Sequence, residues 1–560
     1  MRQPTTGKGT WLSTARTLPA SGRVMGLYAL AGRGTGKSRL LGRKIASGDF
    51  FAGIPQVIFD PVGATIDNFL DKVTWFLHDY PQLERDPIWD RIIYVDMSGK
   101  DGCITPFPLY YRLGTERSLL EISERYLQTI IKSNPDLFRA QVMGWPPLHR
   151  IGDYSGIVLS ALGYQITEAE DLLDNPEAWE AAGLFTKAEQ VSPEAKRAAS
   201  YFRHKYIPMR EADRARLTTP FLDKIFTFAL DDTFRAMFGA KEPGIKWDEV
   251  VQRKQTVLLD FRHKQDEETR RFKMLWAFDY LYSWIKTRGR QDANPFGIIC
   301  DEFAHMTQKV VDATNPLAQD LDTFINVYMR QHTIWLTAAH QELYQIDEQL
   351  RNTLLSLGTY IIGGTSSMQS ARDLADALYF RDPYRVKDYH VAHNPIHLNK
   401  DPIIEPVYMP LEEQTELFAQ RIKKLGRFQF LLRPAIAEGH IGSAVLPLTI
   451  RDLDWDKETG EYQFPDSQLM ARVRAALARH AGIPIQKLLV EQQKRIPPSL
   501  PERIRPLAPS QTDGHKPQQP SRDTPPETPQ PRQTRPQPTP QKPTGLPPRR
   551  SLHQRRYWRS

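Results

Sequence analysis

Residues 31–38 read Ala-Gly-Arg-Gly-Thr-Gly-Lys-Ser, and the reading of this stretch decides the fold. An apolar run, Val24-Met25-Gly26-Leu27-Tyr28-Ala29-Leu30, precedes it, and Arg39-Leu40-Leu41-Gly42-Arg43-Lys44-Ile45-Ala46 follows with helical character. Strand, glycine-rich turn and helix is the setting of a phosphate-binding loop. Backbone N–H groups and the positive end of the helix then surround the phosphates of a nucleotide. Gly32, Gly34 and Gly36 permit positive φ and close backbone approach. Lys37 is expected to neutralise β- and γ-phosphate charge, and Ser38 to hold Mg²⁺. Arg33, Thr35 and Arg39 complete the expected nucleotide-binding set, with ATP and Mg²⁺ as cofactors. The position usually held by the first glycine is Ala31.

Outward from this loop the chain alternates short apolar runs with helical segments. The runs Gln56-Val57-Ile58-Phe59-Asp60, Arg91-Ile92-Ile93-Tyr94-Val95-Asp96, Gln255–Phe261, Pro295–Phe303, His332–Gln341 and Tyr360–Gly364 read as buried strands. The first of them closes in the turn Asp60-Pro61-Val62-Gly63. Strands alternating with helices predict an α/β fold with a mostly parallel sheet. Helical spacing in Ser118–Ile131, Ile157–Leu162, Ser192–His204 and Pro220–Phe238 predicts an all-α insertion over 114–243. The nucleotide-binding domain is expected over 23–113 and 244–450. A loose arm is expected over 1–22, and a C-terminal helical segment over 451–496. Residues 411–425 read as a helix and 427–433 as the final strand.

The second half of an ATP site is expected where Ile298-Ile299-Cys300 runs into Asp301-Glu302. A carboxylate at the C-terminal end of a strand lies beside the phosphate loop in such sheets. Asp301 is the expected companion of Ser38 at Mg²⁺, and Glu302 the expected general base for the attacking water. Gln341, at the end of the next strand, is placed to sense the γ-phosphate. Arg330, just before that strand, is a candidate arginine finger acting in trans, with Arg351 as its rival. A trans-acting arginine requires neighbouring copies, hence a ring.

Charge must be located before it is used. The chain has 74 Lys and Arg against 66 Asp and Glu, a formal +8. Residues 497–560 hold 12 against 4, so the tail carries the whole excess and residues 1–496 balance. The net charge therefore gives no ground for reading the folded body as a nucleic-acid binder. The same tail has 17 prolines in 64 residues, too little apolar surface to offset ordering, and is expected to be disordered. It ends in the basic and aromatic cluster Arg555-Arg556-Tyr557-Trp558-Arg559. Two cysteines, Cys103 and Cys300, make no disulfide framework or metal cluster and suit a reducing cytosol. Residues 1–22 hold no apolar core of a signal peptide, and no apolar run of about 18 residues or more occurs. A cytoplasmic location is expected.

The order of these motifs, with Tyr328-Met329-Arg330-Gln331-His332-Thr333-Ile334, Ala338-Ala339-His340-Gln341-Glu342-Leu343 and Arg351-Asn352, resembles the cytoplasmic ATPase of type IV secretion coupling proteins. These conjugative DNA-transfer ATPases belong to the HerA–FtsK group of P-loop NTPases. The resemblance spans about residues 22–450. It implies a RecA-like core with an all-α insertion, assembled as a hexameric ring that moves DNA at the expense of ATP. It also implies a membrane-bound secretion-channel subunit or a relaxosome protein as partner, and peripheral placement at the inner membrane face. By motif position Gly36, Lys37, Ser38, Asp301, Glu302, Arg330 and Gln341 match the family's functional positions. The family's Asp-Pro-Lys-Gly is Asp60-Pro61-Val62-Gly63 here, and the membrane helices that many coupling proteins carry near the N-terminus are not seen in this sequence. Outside conjugation, the same residues would suit a HerA-like DNA translocase, an ATPase acting on protein, or a nucleotide-gated scaffold.

Overall fold

Seven parallel strands, each a short apolar run, form the centre of the molecule. The structure is a computed structural model describing residues 10–495 apart from 14–15, 81–84, 113–117, 134–145, 263–266, 289–293, 307–315, 347, 393–402, 438–439, 442–444 and 451–466. The expectations for residues 1–9 and for the tail over 497–560 lie outside the described residues.

In chain order the central strands are β1 (Leu27–Leu30), β2 (Gln56–Asp60), β3 (Ile92–Asp96), β4 (Thr256–Asp260), β5 (Phe296–Cys300), β6 (Ile334–His340) and β7 (Thr359–Ile362). Two more, β8 (Gln429–Arg433) and β9 (Leu446–Thr449), extend the sheet antiparallel beyond β7. The spatial order is β9-β8-β7-β1-β6-β5-β2-β4-β3. The five strands β7-β1-β6-β5-β2 have the RecA-like order, with the phosphate-loop strand flanked by the fifth and fourth strands of that core. Helices cover both faces, so β1, β2, β4, β5 and β6 are buried along their whole length and read as continuous apolar runs. The segment 427–433 expected to close the sheet is instead followed by β9, Leu446-Pro447-Leu448-Thr449, which lies at the edge and so tolerates Pro447 and exposes part of its length.

Register is what builds the site. Leu30 pairs with His340, Phe59 with Cys300, Asp60 with Asp260, and Asp260 with Asp96. The C-terminal ends of six strands therefore finish at one edge of the sheet, and their terminal carboxylates crowd together there.

Between β3 and β4, from Leu119 onward, the described residues are mostly helical, including α1 (Leu119–Ser133), α2 (Pro146–Leu162) and α3 (Glu211–Leu230). The segment expected at Ser192–His204 begins with Ser192 accepting the Ala195 N–H, and Pro193 occupies the first turn. The apolar pattern over 220–238 predicted one helix. The structure has two: α3 carries Pro220 inside, and Asp231 starts a second, Asp232–Phe238, by accepting the Phe234 N–H. The C-terminal segment is part of this architecture. Helix Ser467–Ala481 packs against edge strand β3, Ile483–Pro484 pairs with Cys103–Ile104, and Ile485–Gln493 lies on Asp232–Phe238. Within the segment read as a loose arm, Thr10–Ser13 and Arg16–Leu18 pair antiparallel. No helix among the described residues is long and apolar enough to cross a membrane.

Candidate nucleotide-binding site

The loop Ala31–Ser38 leaves β1 at the carboxylate-rich edge. Gly34 and Gly36 take φ of 79° and 101°, conformations that only glycine adopts freely. The Gly32 N–H donates to the Gly364 carbonyl at 2.8 Å, and the Thr35 hydroxyl donates to the Gly32 carbonyl at 2.7 Å. The Phe428 N–H donates to the Thr35 carbonyl at 2.8 Å, and its ring fills the space where a side chain on Gly36 would begin. Helical structure starts at Lys37 and widens into a π-helical stretch, Leu40–Ala46, a local form common beside functional sites. Arg39 is buried, with its guanidinium 5.5 Å from the centre of the Phe428 ring. Arg33 is exposed in the turn.

Lys37, Asp301 and Glu302 meet below this loop, all three buried. Lys37 Nζ lies 2.6 Å from Glu302 Oε1 and 3.0 Å from Asp301 Oδ1. Burial pulls the ammonium toward losing its proton, but the two carboxylates outweigh it and hold its pKa above the ordinary value. Asp301 is the mirror case. Burial pushes its pKa up, while Lys37 and hydrogen bonds from Thr65, Lys37 and Ser38 bring it below the usual range. Ser38 Oγ donates to Asp301 Oδ2 at 3.1 Å, and Thr65 Oγ1 donates to the same oxygen at 2.6 Å. Gln341 Nε2 donates to Glu302 Oε1 at 2.9 Å.

Glu302 has φ of 46°, a left-handed backbone for a residue with a side chain. Such a conformation costs on the order of 1–3 kcal/mol and persists where the surroundings over-determine it. Here it turns the carboxylate back toward Lys37 while the Glu302 N–H donates to Asp301 Oδ1 at 2.9 Å.

The oxygens around Asp301 fit Mg²⁺. A hard, octahedral cation takes one or two protein oxygens and completes its shell with phosphates and water. The Asp301 carboxylate and the Ser38 hydroxyl supply such a pair, and Thr65 fixes the carboxylate through the same oxygen that Ser38 bonds. No group of three or more His, Cys, Asp or Glu residues suited to a metal occurs among the described residues.

The structure thus brings together Lys37, Ser38, Asp301, Glu302 and Gln341. It does not bring Arg330 to them. Arg330 is exposed at the N-terminal end of β6, whereas Gln341 follows its C-terminal end. Seven residues of strand separate the two by roughly 20 Å. Arg351 is half-buried in Glu348–Leu354, close enough to Tyr28 to act on its phenol.

Three contributors were missed by the sequence reading. Thr65 comes from the first turn of helix Ala64–Asp79, which β2 feeds through the Asp60 turn. Asp60 accepts the N–H groups of Val62, Gly63 and Ile66, and burial together with Asp301 and Asp260 raises its carboxyl to about 7. Phe428 arrives from the turn before β8 with φ of 62°. The Asp-Pro-x-Gly turn followed by a hydroxyl was the signal that could have found Thr65, and none in the sequence points to Phe428.

No family model matches the chain, and no curated protein matches it in sequence. Among solved structures it is similar to the bacterial conjugative coupling protein TrwBdeltaN70, with TM-score 0.49 and 14% identity over 80% of this chain and 90% of that one. It is also similar to plasmid coupling protein TrwB in complex with ADP and Mg²⁺, with TM-score 0.45 and 14% identity over 80% and 90%. VirB4 of Thermoanaerobacter pseudethanolicus gives TM-score 0.44 and 12% identity over 76% of this chain and 89% of that one.

Proposed function

We propose that this chain is an ATP-hydrolysing motor that moves DNA, of the coupling-protein kind, working as a ring of identical copies. The observation that carries the hydrolytic reading is the convergence of Lys37 and Gln341 on one oxygen of Glu302, beside Asp301 and Ser38. Each group has a task. The loop amides and Lys37 hold the phosphates, and Ser38 and Asp301 hold Mg²⁺, which supplies charge neutralisation at the transferred phosphoryl group. Glu302 accepts a proton from the attacking water. Lys37 now pairs with Glu302, so a nucleotide's phosphates must compete for the lysine and thereby release the base. Gln341 bonds the same carboxylate and leads directly into β6, so the state of the phosphate reaches the strand whose far end bears Arg330. In a ring that arginine would face the nucleotide of the next copy.

DNA as the moved polymer rests on the order of motifs described above, as do partnership with a membrane-bound secretion subunit or a relaxosome protein and a peripheral position at the inner membrane face. The test is steady-state ATP hydrolysis by the full chain with and without single- and double-stranded DNA, beside Glu302→Gln. Stimulation by DNA that vanishes in the variant supports the motor. Hydrolysis indifferent to both DNA forms contradicts it in favour of a protein-directed ATPase, and nucleotide binding with no hydrolysis contradicts it in favour of a gated scaffold.

A further inference from the structure

Among the described residues, most of the exposed large apolar side chains lie in one segment, residues 380–417. Phe380, Tyr384, Val386, Tyr389, Val391, Ile404, Val407, Tyr408, Leu411 and Leu417 are all exposed. The segment belongs to the connection from β7 to β8, which is built of helix Met368–Leu378, an antiparallel ribbon of Val386–Ala392 with Ile403–Tyr408, and helix Leu411–Lys423. Among the described residues the ribbon's two strands pair with each other and with no further strand. Its register sets Tyr389 opposite Pro406 and Val391 opposite Ile404, while His390 faces Glu405 and Asp388 faces Val407. Side chains alternate along a strand, so Tyr389, Val391, Ile404, Pro406 and Tyr408 share one face and the charged residues the other. The polar face is turned to solvent as expected, but the apolar face is exposed as well: Tyr389 and Ile404 are each 61% exposed.

A two-stranded ribbon is marginal in water without a surface to pack on. At their exposures of 70%, 76%, 61% and 49%, Phe380, Tyr384, Tyr389 and Tyr408 leave on the order of 500 Å² of aromatic surface uncovered. Val391 and Ile404 bring this toward the roughly 800 Å² that each partner contributes to a stable protein interface.

We propose that the apolar face of this ribbon docks on a second copy of this chain, beside the nucleotide site, and that it is what assembles the ring. The proposal rests on the motor reading above. Three observations favour a second copy as occupant. The ribbon stands on the nucleotide end of the sheet: the Gly364 carbonyl at its entry accepts the Gly32 N–H, Lys423 at its exit donates to the Ser366 carbonyl, and Phe428 beyond it bonds Thr35. Arg330 lies at the opposite end of β6, with exposed Val327 three residues before it, so a head-to-tail contact brings one copy's Arg330 end over the next copy's nucleotide and ribbon. Three cations around the ribbon's base are matched within the chain, in the pairs Lys387–Glu413 at 2.7 Å, Arg372–Glu416 at 2.9 Å and Arg381–Asp376, and the described residues of the ribbon's apolar face carry no charge, which suits another protein surface better than nucleic acid.

The test is sedimentation velocity of the full chain with a non-hydrolysable ATP analogue and Mg²⁺, comparing wild type, Tyr389→Glu/Ile404→Glu, the milder Tyr389→Ser/Ile404→Ser, and Asp388→Arg on the polar face. Circular dichroism checks folding, and a fluorescent nucleotide reports the site. Wild type and Asp388→Arg are expected to assemble, and both apolar-face variants to sediment as the 64.4 kDa chain while binding nucleotide within about twofold of wild type. Apolar-face variants that assemble as wild type does overturn the proposal. So does a wild type that stays monomeric with nucleotide bound, including one that instead floats with phosphatidylglycerol vesicles through these residues. Nucleotide binding is read separately, so its loss from wild type counts against the motor reading, and the mass distribution alone judges the ribbon.

Discussion

The two ends of strand β6 could hardly differ more. At its C-terminal end Gln341 joins a buried cluster in which Lys37, Ser38, Thr65, Asp301 and Glu302 have their polar groups matched to one another. At its N-terminal end Arg330 lies exposed at the close of a helical run. The first end is complete within the chain apart from its ligands. The second has the role proposed for it only if another copy is present. Under the motor proposal the difference has a reason: groups that must hold a geometry are buried together, and the group proposed to complete the transition state is left on the surface, where assembly would deliver or withhold it.

The largest effects should come from the buried end. Glu302→Gln removes the proton acceptor and should lower kcat by about 10²–10⁴-fold while ATP still binds, measured by single-turnover hydrolysis beside equilibrium binding. A variant that hydrolyses at the wild-type rate would take Glu302 out of the chemistry. Arg330→Ala should cost about 10³-fold or more in turnover with nucleotide affinity unchanged, which would sharpen the contrast between the two ends. If nucleotide affinity fell as much as turnover, Arg330 would be acting as a structural residue of its own subunit.

Smaller effects separate the members of the cluster. Thr65→Val should raise the Mg²⁺ concentration needed for nucleotide binding by about 10-fold or more, because Asp301 loses the donor that fixes it, and Thr65→Ser should restore it. Binding titrated against Mg²⁺ reads this directly, and an unchanged titration would remove Thr65 from the metal's surroundings.

The smallest effect is on stability. His340, one residue before Gln341, is held neutral by burial and by Lys37, with its pKa lowered to about 4 from 6.5. Between those values the unfolded chain binds the proton and the folded chain does not, so stability must fall as pH drops from about 6.5 toward 4. Urea midpoints for wild type and His340→Gln across that window check this, and the variant should show the shallower decline. Equal slopes would mean that other groups dominate.

What the sequence made legible follows from contiguity. The loop Ala31–Ser38 and the pair Asp301-Glu302 carry their chemistry in adjacent residues, and the fully buried parallel strands advertise themselves as unbroken apolar runs. The RecA-like strand order agrees with that reading. Thr65 and Phe428 were not legible because register and turns bring them to the loop from other parts of the chain, Thr65 lying 236 positions from the carboxylate it holds. The ribbon was hidden for another reason. Lys387, Asp388 and His390 interrupt its first strand and Pro406 its second, so its alternating face emerges only when the two strands are set side by side. Pro220 misled in the opposite direction, marking a start where helix α3 continues through it.

The most direct test of a site divided between the two ends is a mixture of two inactive proteins. Arg330→Ala keeps a complete phosphate site, and Lys37→Ala keeps the exposed arginine. Mixed in equal amounts, random assembly puts an intact site against an intact arginine at about a quarter of the junctions in a head-to-tail ring. The account predicts that ATP hydrolysis recovers to about that share of the wild-type rate. A mixture as inactive as its two components would contradict it.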